Sequence, residues 1–322
     1  AKCIFENTGY EEISLASLSI SDYTGLPELT DKLLDWTQEN MVSFSLPSLR
    51  VDSFTKELME KVASVRSSSL TFAPEAGTQR LRDVINKNVL EDDLMKAVNV
   101  AFDAGKTQVK LYFMQGLPTE TYEDLEGIPA LAKKVIEAFY ANPNHNRAKA
   151  PQVTFSVSPF IPKPFTPFQW EPQDTLEVIK EKQEFVGKCV TDRKIKYQHH
   201  DPETCCIEAV LARGDRRLAP ALELACREGF KFDAWSEFFN YDKWMSVFER
   251  SGVDPAFYAN RRYSYDEVLP WDIIDCGVTK EFLLRESKKA LEGNTTPNCR
   301  EKCSACGANR LGGERTCCPK KK

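Results

Sequence analysis

From Glu12 to Val190, short apolar runs alternate strictly with longer amphipathic ones, and this alternation limits the fold more than any other feature of the sequence. A strand signal at Glu12–Ser19 precedes the run Glu28–Glu39, in which Leu29, Leu33, Leu34 and Trp36 recur at helical spacing. The pattern repeats as strand Val42–Leu46 with helix Phe54–Val65, then strand Ser69–Phe72 with helices Gln79–Ile85 and Glu91–Ala104. Two further units follow, Val109–Phe113 with Tyr122–Tyr140 and Val153–Val157 with Asp174–Val190. Strands separated by helices cannot be joined by hairpins, so they lie parallel with right-handed crossovers. The class is therefore α/β. Five units behind a start that looks truncated predict a partial parallel β/α barrel lacking its first unit, with an open doubly wound sheet as the competing arrangement.

From Lys194 the sequence changes to short helices rich in aromatic residues, among them Trp235, Phe238, Phe239, Tyr241, Trp244 and Phe248, read as core. Gly293–Pro297 is a turn-rich break before a run of cysteines. Three segments are expected: 1–192 as the barrel portion, 193–292 as a helical extension and 293–322 as a cysteine-rich tail. A net charge of -5 gives no global reason to bind nucleic acid. No apolar run is long enough to span a bilayer and no signal pattern opens the chain, so the expected location is cytoplasmic.

Ligands of parallel β/α folds bind at the loops that follow the strands. After the second strand comes Arg50, a fork for carboxylate or phosphate, or a partner of Asp52. After the third, Glu75 and Gly77 set a carboxylate beside a glycine where backbone can approach a ligand. Glu75 there can accept hydrogen bonds from ribose hydroxyls or an amino group, or it can join Thr78 in capping the next helix. After the fourth, the Gly116-Leu117-Pro118 turn either lets backbone reach an adenine or methionine moiety or simply opens a helix. After the fifth, Phe160-Ile161-Pro162 begins a proline-rich, aromatic lip suited to a flat ring, or to closing the barrel end. His199-His200-Asp201 and Arg213–Arg217 are further polar concentrations, read as surface loops or substrate contacts.

Five of the eleven cysteines lie between Cys299 and Cys318, and clustered thiols in a large unsigned chain favour metal over disulfides. Cys299, Cys303 and Cys306 share one tight loop, and Cys317-Cys318 return after a glycine-rich turn. Three thiolates so spaced can each take one iron of a cubane, leaving the fourth iron for a distant cysteine or an exogenous ligand. The expected ligands are Cys299, Cys303, Cys306 and Cys317; zinc in a four-sulfur knuckle is the competing occupant.

The segments Ala73–Thr78, Tyr112–Thr121, Ile161–Trp170, Glu208–Arg217 and Leu269–Asp275, taken in order through to the terminal cysteines, resemble the uncharacterised radical S-adenosylmethionine (SAM) proteins associated with a cobalamin-binding domain. The resemblance implies a partial β/α barrel of radical SAM type that binds SAM and an iron–sulfur cluster and generates a deoxyadenosyl radical for hydrogen abstraction from an unknown substrate. It implies that Glu75 and Gly116–Pro118 lie in SAM-contacting loops and that Phe160–Pro162 flank the adenine. It also puts the cluster-binding cysteine triplet and a cobalamin-binding domain upstream of Ala1. A reading from a different class is a metal-stabilised binding module, with RNA as its candidate partner, built on a zinc knuckle and Lys320–Lys322.

Overall fold

The structure is a computed structural model that describes residues 1–16, 23–45, 70–299 and 301–312. The helix expected over Phe54–Val65, Arg50 and Cys317 lie outside the described residues. Every strand pair among those described is parallel, as the alternation requires. β1 (Glu12–Ser14) and β2 (Ser43–Ser45) form a two-stranded sheet joined through the helix Leu26–Glu39. A short helix, Lys2–Thr8, precedes them and was not anticipated. The second sheet contains β3 (Leu70–Glu75), β4 (Gln108–Gln115), β5 (Gln152–Pro159) and β6 (Ile195–His199), in that spatial order. Strand order follows chain order, so these four strands hold none of the reversals that define a doubly wound sheet.

β6 falls where the sequence reading had already passed into the helical extension. The reason is visible in its residues: Ile195 is the one buried side chain of the strand, and among the described residues no further strand pairs with its outer edge. Such an edge carries little apolar signal. The central strands differ. Val109, Leu111 and Phe113 of β4 and Val153, Phe155 and Val157 of β5 are fully buried beneath α4 (Glu91–Asp103) and α5 (Tyr122–Ala141), through Leu94, Val98, Phe102, Ile128, Val135 and Phe139. Each large side chain so buried contributes about 1.5–3 kcal/mol. The other face is polar, with Thr71, Lys110 and Thr154 in one register row and Tyr112, Ser156 and Gln198 in the next.

The extension contains α7 (Pro202–Ala212), α8 (Ala219–Arg227), α9 (Tyr241–Arg250), α10 (Pro255–Ala259) and α11 (Lys280–Leu291), the numbering allowing for α3 (Gln79–Val84) and α6 (Leu176–Cys189) in the sheet region. Trp244 and Phe248 join Val210, Ala221 and Val247 in a second core, as expected of that aromatic run. Trp235 and Phe238 do not: they are 61% and 57% exposed. They precede α9 in a stretch of turns, so helical spacing never applied to them.

Candidate functional site

The C-terminal ends of β3, β4, β5 and β6 open onto one cavity of about 750 Å³. Its wall takes Glu75 from the end of β3, Met114 from β4 and Leu117 just beyond it. Ser158, Pro159, Phe160 and Ile161 come from the end of β5, and His200 follows β6. Phe282, Glu286 and Ala290 of α11 form the facing wall. Four of the residues singled out from the sequence, Glu75, Leu117, Phe160 and Ile161, therefore share one space.

Glu75 reaches it through a defect in the sheet. Between Phe72 and Glu75 the third strand carries one residue more than its partner between Leu111 and Phe113, a β-bulge at Ala73-Pro74. Pro74 has no N–H to give to the ladder, which is why the irregularity falls there. Beyond it Glu75 takes a left-handed backbone, φ 69°, unusual for a residue with a Cβ. Its carboxylate meets Lys87 Nζ at 2.9 Å, with both side chains partly exposed. The capping alternative belongs to Thr78 alone, whose hydroxyl oxygen accepts from Leu81 N.

Gly77 does not line the cavity. A Cβ there would stand 2.4 Å from Asp124 O and 2.5 Å from Ile128 N, so the glycine lets its loop touch the backbone of α5. The same junction is pinned by side chains. Arg80 donates to Thr119 O at 2.9 Å and pairs with Asp124, and Thr78 donates to Asp124 as well. Burial opposes ionisation of Asp124, but hydrogen bonds from Arg80, Thr78 and Thr121 outweigh it and hold the carboxyl below its ordinary range. Arg82, 1% exposed, donates to Ala76 O at 2.9 Å and fixes the loop from beneath.

Gly116 and Pro118 support the cavity from behind Leu117. Gly116 has φ 79°, and its N–H donates to Glu120 Oε1 at 2.8 Å, so that donor is already engaged. Lys182 of α6 lies 2.8 Å from Glu120 and 2.7 Å from Asp174, tying the loop after β4 to the loop after β5. Desolvation of the nearly inaccessible Glu120 side chain raises its pKa, against the pull of Lys182. Phe160 N donates to Gln115 O at 2.7 Å, and the Phe160 ring meets Phe168 edge-on at 6.1 Å. Pro162 is buried but is not on the cavity wall.

The remaining polar groups divide. His200 is on the wall, whereas Asp201 caps α7 by accepting from Thr204 N at 2.7 Å. Arg213, fully buried, donates to Ala259 O at 2.7 Å and Arg261 O at 2.8 Å, and so holds the extension together. Sequence reasoning missed two wall residues from α7, Cys205 and Glu208, and all of α11. Burial pushes the Cys205 thiol up to about 12, so it is a neutral S–H at neutral pH. Among the described residues, no three His, Cys, Asp or Glu side chains are gathered closely enough to hold a metal ion. Cys299 and Cys303 are exposed and Cys306 is half-buried. No helix among the described residues is long and apolar enough to cross a membrane.

Residues 1–132 match the radical SAM superfamily. Members of that superfamily use SAM and a 4Fe–4S cluster in general. An uncharacterized protein of Methanocaldococcus jannaschii is 34% identical over 242 residues, covering 75% of this chain and 50% of that protein. The chain thus spans about half the length of this curated relative. Among solved structures, an archaeal Elp3 of Methanocaldococcus infernus with an N-terminal deletion aligns over 78% of this chain and 57% of its own, at 13% identity and a TM-score of 0.41.

Proposed function

We propose that this chain is the SAM-binding portion of a radical SAM enzyme and that SAM lies in the cavity at the ends of β3–β6. The observation that carries the reading is the convergence of Glu75, Leu117, Phe160 and Ile161, from three different strand ends, on one wall. Its volume falls within the roughly 300–1,000 Å³ usual for small-molecule sites. The donor set fits the ligand: Glu75 offers a carboxylate to ribose hydroxyls or to the amino group, and Phe160 and Ile161 offer an apolar face to adenine. Leu117 closes the space, held by the Gly116–Pro118 turn and the Glu120–Lys182 pair behind it. Bound here together with its cluster, SAM would supply a deoxyadenosyl radical for hydrogen abstraction, with Glu75, Leu117, Phe160 and Ile161 holding it. The residues of this chain orient it and keep water away.

The described wall carries one thiol, Cys205, and that thiol is neutral. A cubane takes thiolates, typically about four cysteines or three with one open iron. We therefore assign the catalytic cluster's ligands to sequence outside this wall. An upstream cobalamin-binding domain remains part of the same proposal. In the tail we assign Cys299, Cys303, Cys306 and Cys317 to an iron–sulfur site, with zinc as the occupant that metal analysis would reveal instead.

Calorimetric titration of SAM into the anaerobic chain tests the cavity assignment. Glu75→Gln is expected to weaken binding about tenfold, about 1.4 kcal/mol, and Phe160→Ala by a similar factor. Undetectable SAM binding at millimolar ligand, or affinity unchanged in both variants, would overturn it.

A further inference from the structure

Among the described residues the cavity wall carries five carboxylate or ammonium side chains, and three of them have an assigned place. Glu75 and Lys87 pair at 2.9 Å at the strand ends where SAM is placed. Glu286 accepts from Thr296 Oγ1 and from Lys289 Nζ, which tie α11 to the turn after it. The other two, Lys163 and Glu208, meet each other at 2.6 Å across two elements, the loop after β5 and α7. Their side chains are 50% and 52% exposed, and an ion pair so exposed adds little to stability. His200 reaches the wall from the same side, between β6 and α7. Its backbone is held at both groups, the N–H by Val157 O and the carbonyl by Gln183 Nε2, each at 3.0 Å. The imidazole is thus placed against the cavity, and it has no hydrogen-bond partner among the described residues.

We infer that the β6–α7 side of the cavity is the substrate subsite and that the substrate is a free α-amino acid with an apolar side chain, its carboxylate on Lys163 and its ammonium on Glu208. This rests on the reading of the cavity as the SAM site and names what lies beside SAM in it. Charge decides the class. A phosphate ester would set its anion against Glu208, and a polyamine would set its cations against Lys163. A ligand with one charge of each sign on neighbouring groups satisfies both, and its two ion pairs replace the one that it opens. An α-amino acid has that arrangement. His200 gives its carboxylate a second donor. Cys205 and Glu208 lie three residues apart on α7 and so share its cavity face, where the neutral thiol adds no competing charge. The side chain of the amino acid lies along Ile161, Phe168 and Phe282, half-buried residues of the same wall, and these require it to be apolar. Ile161 also borders the space assigned to SAM, so the carbon–hydrogen bonds of the amino acid adjoin that space.

SAM carries an α-amino acid group of its own, so the test adds amino acid only to the full chain already saturated with SAM. The standard L-amino acids are titrated into it anaerobically, to millimolar concentration, by calorimetry. At least one with an apolar side chain is expected to bind, and its N-acetyl and amide derivatives, each lacking one of the two charges, to bind about tenfold more weakly. That comparison does not depend on how any variant folds. Lys163→Met and Glu208→Gln are each expected to weaken the amino acid by about the same factor and to leave SAM affinity as it was. Glu203→Gln, which breaks the comparable 2.8 Å pair with Lys180 away from the cavity wall, is expected to change neither. A chain that binds SAM but no amino acid, or that binds the blocked derivatives as tightly as the parent, would overturn the inference and leave the SAM assignment standing. Loss of SAM affinity in Lys163→Met and Glu208→Gln would show that the pair holds SAM itself, and would overturn it as well. A chain that binds no SAM would overturn both.

Discussion

Glu75 shows how one residue type can serve two purposes that only position separates. Glu75 could have joined Thr78 in capping the next helix, yet beyond the bulge at Ala73-Pro74 it lies on the cavity wall, and Thr78 does the capping. Gly77 runs the other way, since it resembles a ligand-approach glycine and instead admits the backbone of α5. Gly77→Ala is accordingly expected to destabilise the fold by about 3 kcal/mol, because backbone on both sides must move. The melting temperature should fall by roughly 3–6 °C; an unchanged melting temperature would refute the packing account. Asp124 gives a pH-dependent prediction. Its folded-state pKa is depressed, so its contribution is complete above the ordinary carboxyl range and is lost as pH falls through the folded value. The stability difference between wild type and Asp124→Asn is therefore expected to be on the order of 1–3 kcal/mol at pH 7 and to shrink on acidification toward pH 2. Urea titrations across that window read it directly, and a difference that grows in acid would reverse the assignment.

Among the elements, α6 has the most consequential side chain facing the strand ends. Lys182 sits between Glu120 and Asp174 and so joins the loop after β4 to the loop after β5 with one ammonium group. Its removal leaves Glu120, 2% exposed, as a buried carboxylate without its cation. Lys182→Met is expected to cost about 3–5 kcal/mol, whereas the double variant Glu120→Gln/Lys182→Met recovers a large part of that loss. Equal losses in the single and double variants, measured by denaturant unfolding, would show that the pair does not act as a unit. The capping of α5 by Thr121 and Asp124 is a simpler case, legible in the sequence because the box is entirely local.

At the scale of the whole molecule, the sheet and the extension make the cavity together. β3–β6 supply its floor and rim, while α7 and α11 supply residues more than a hundred positions from the first strand end. The chemistry proposed for this space needs a cubane whose thiolates the described wall does not provide. This chain by itself, reduced and incubated anaerobically with SAM, is therefore expected to bind SAM but to form no deoxyadenosine above background. Chromatographic detection of stoichiometric deoxyadenosine would overturn that division and would direct attention to the tail cysteines as the cluster's ligands.

Periodicity alone determined the parallel α/β class and the five strands from β1 to β5, because alternation of period 2 and period 3.6 is written locally and parallel pairing follows from chain connectivity. The same local logic marked Glu75, Leu117, Phe160 and Ile161, since strand ends are identifiable without knowing where they meet. β6 escaped notice because an edge strand with one buried residue has almost no periodic signal. Cys205, Glu208 and α11 escaped because their place on the wall depends on how the extension folds back, and the moorings that do this join residues far apart in sequence: Trp271 Nε1 to Gln169 at 2.7 Å, and Thr296 N to Asn86 at 2.9 Å. Contacts of that range have no local signature. The meeting of Gly277 and Gly307, thirty residues apart, is of the same kind.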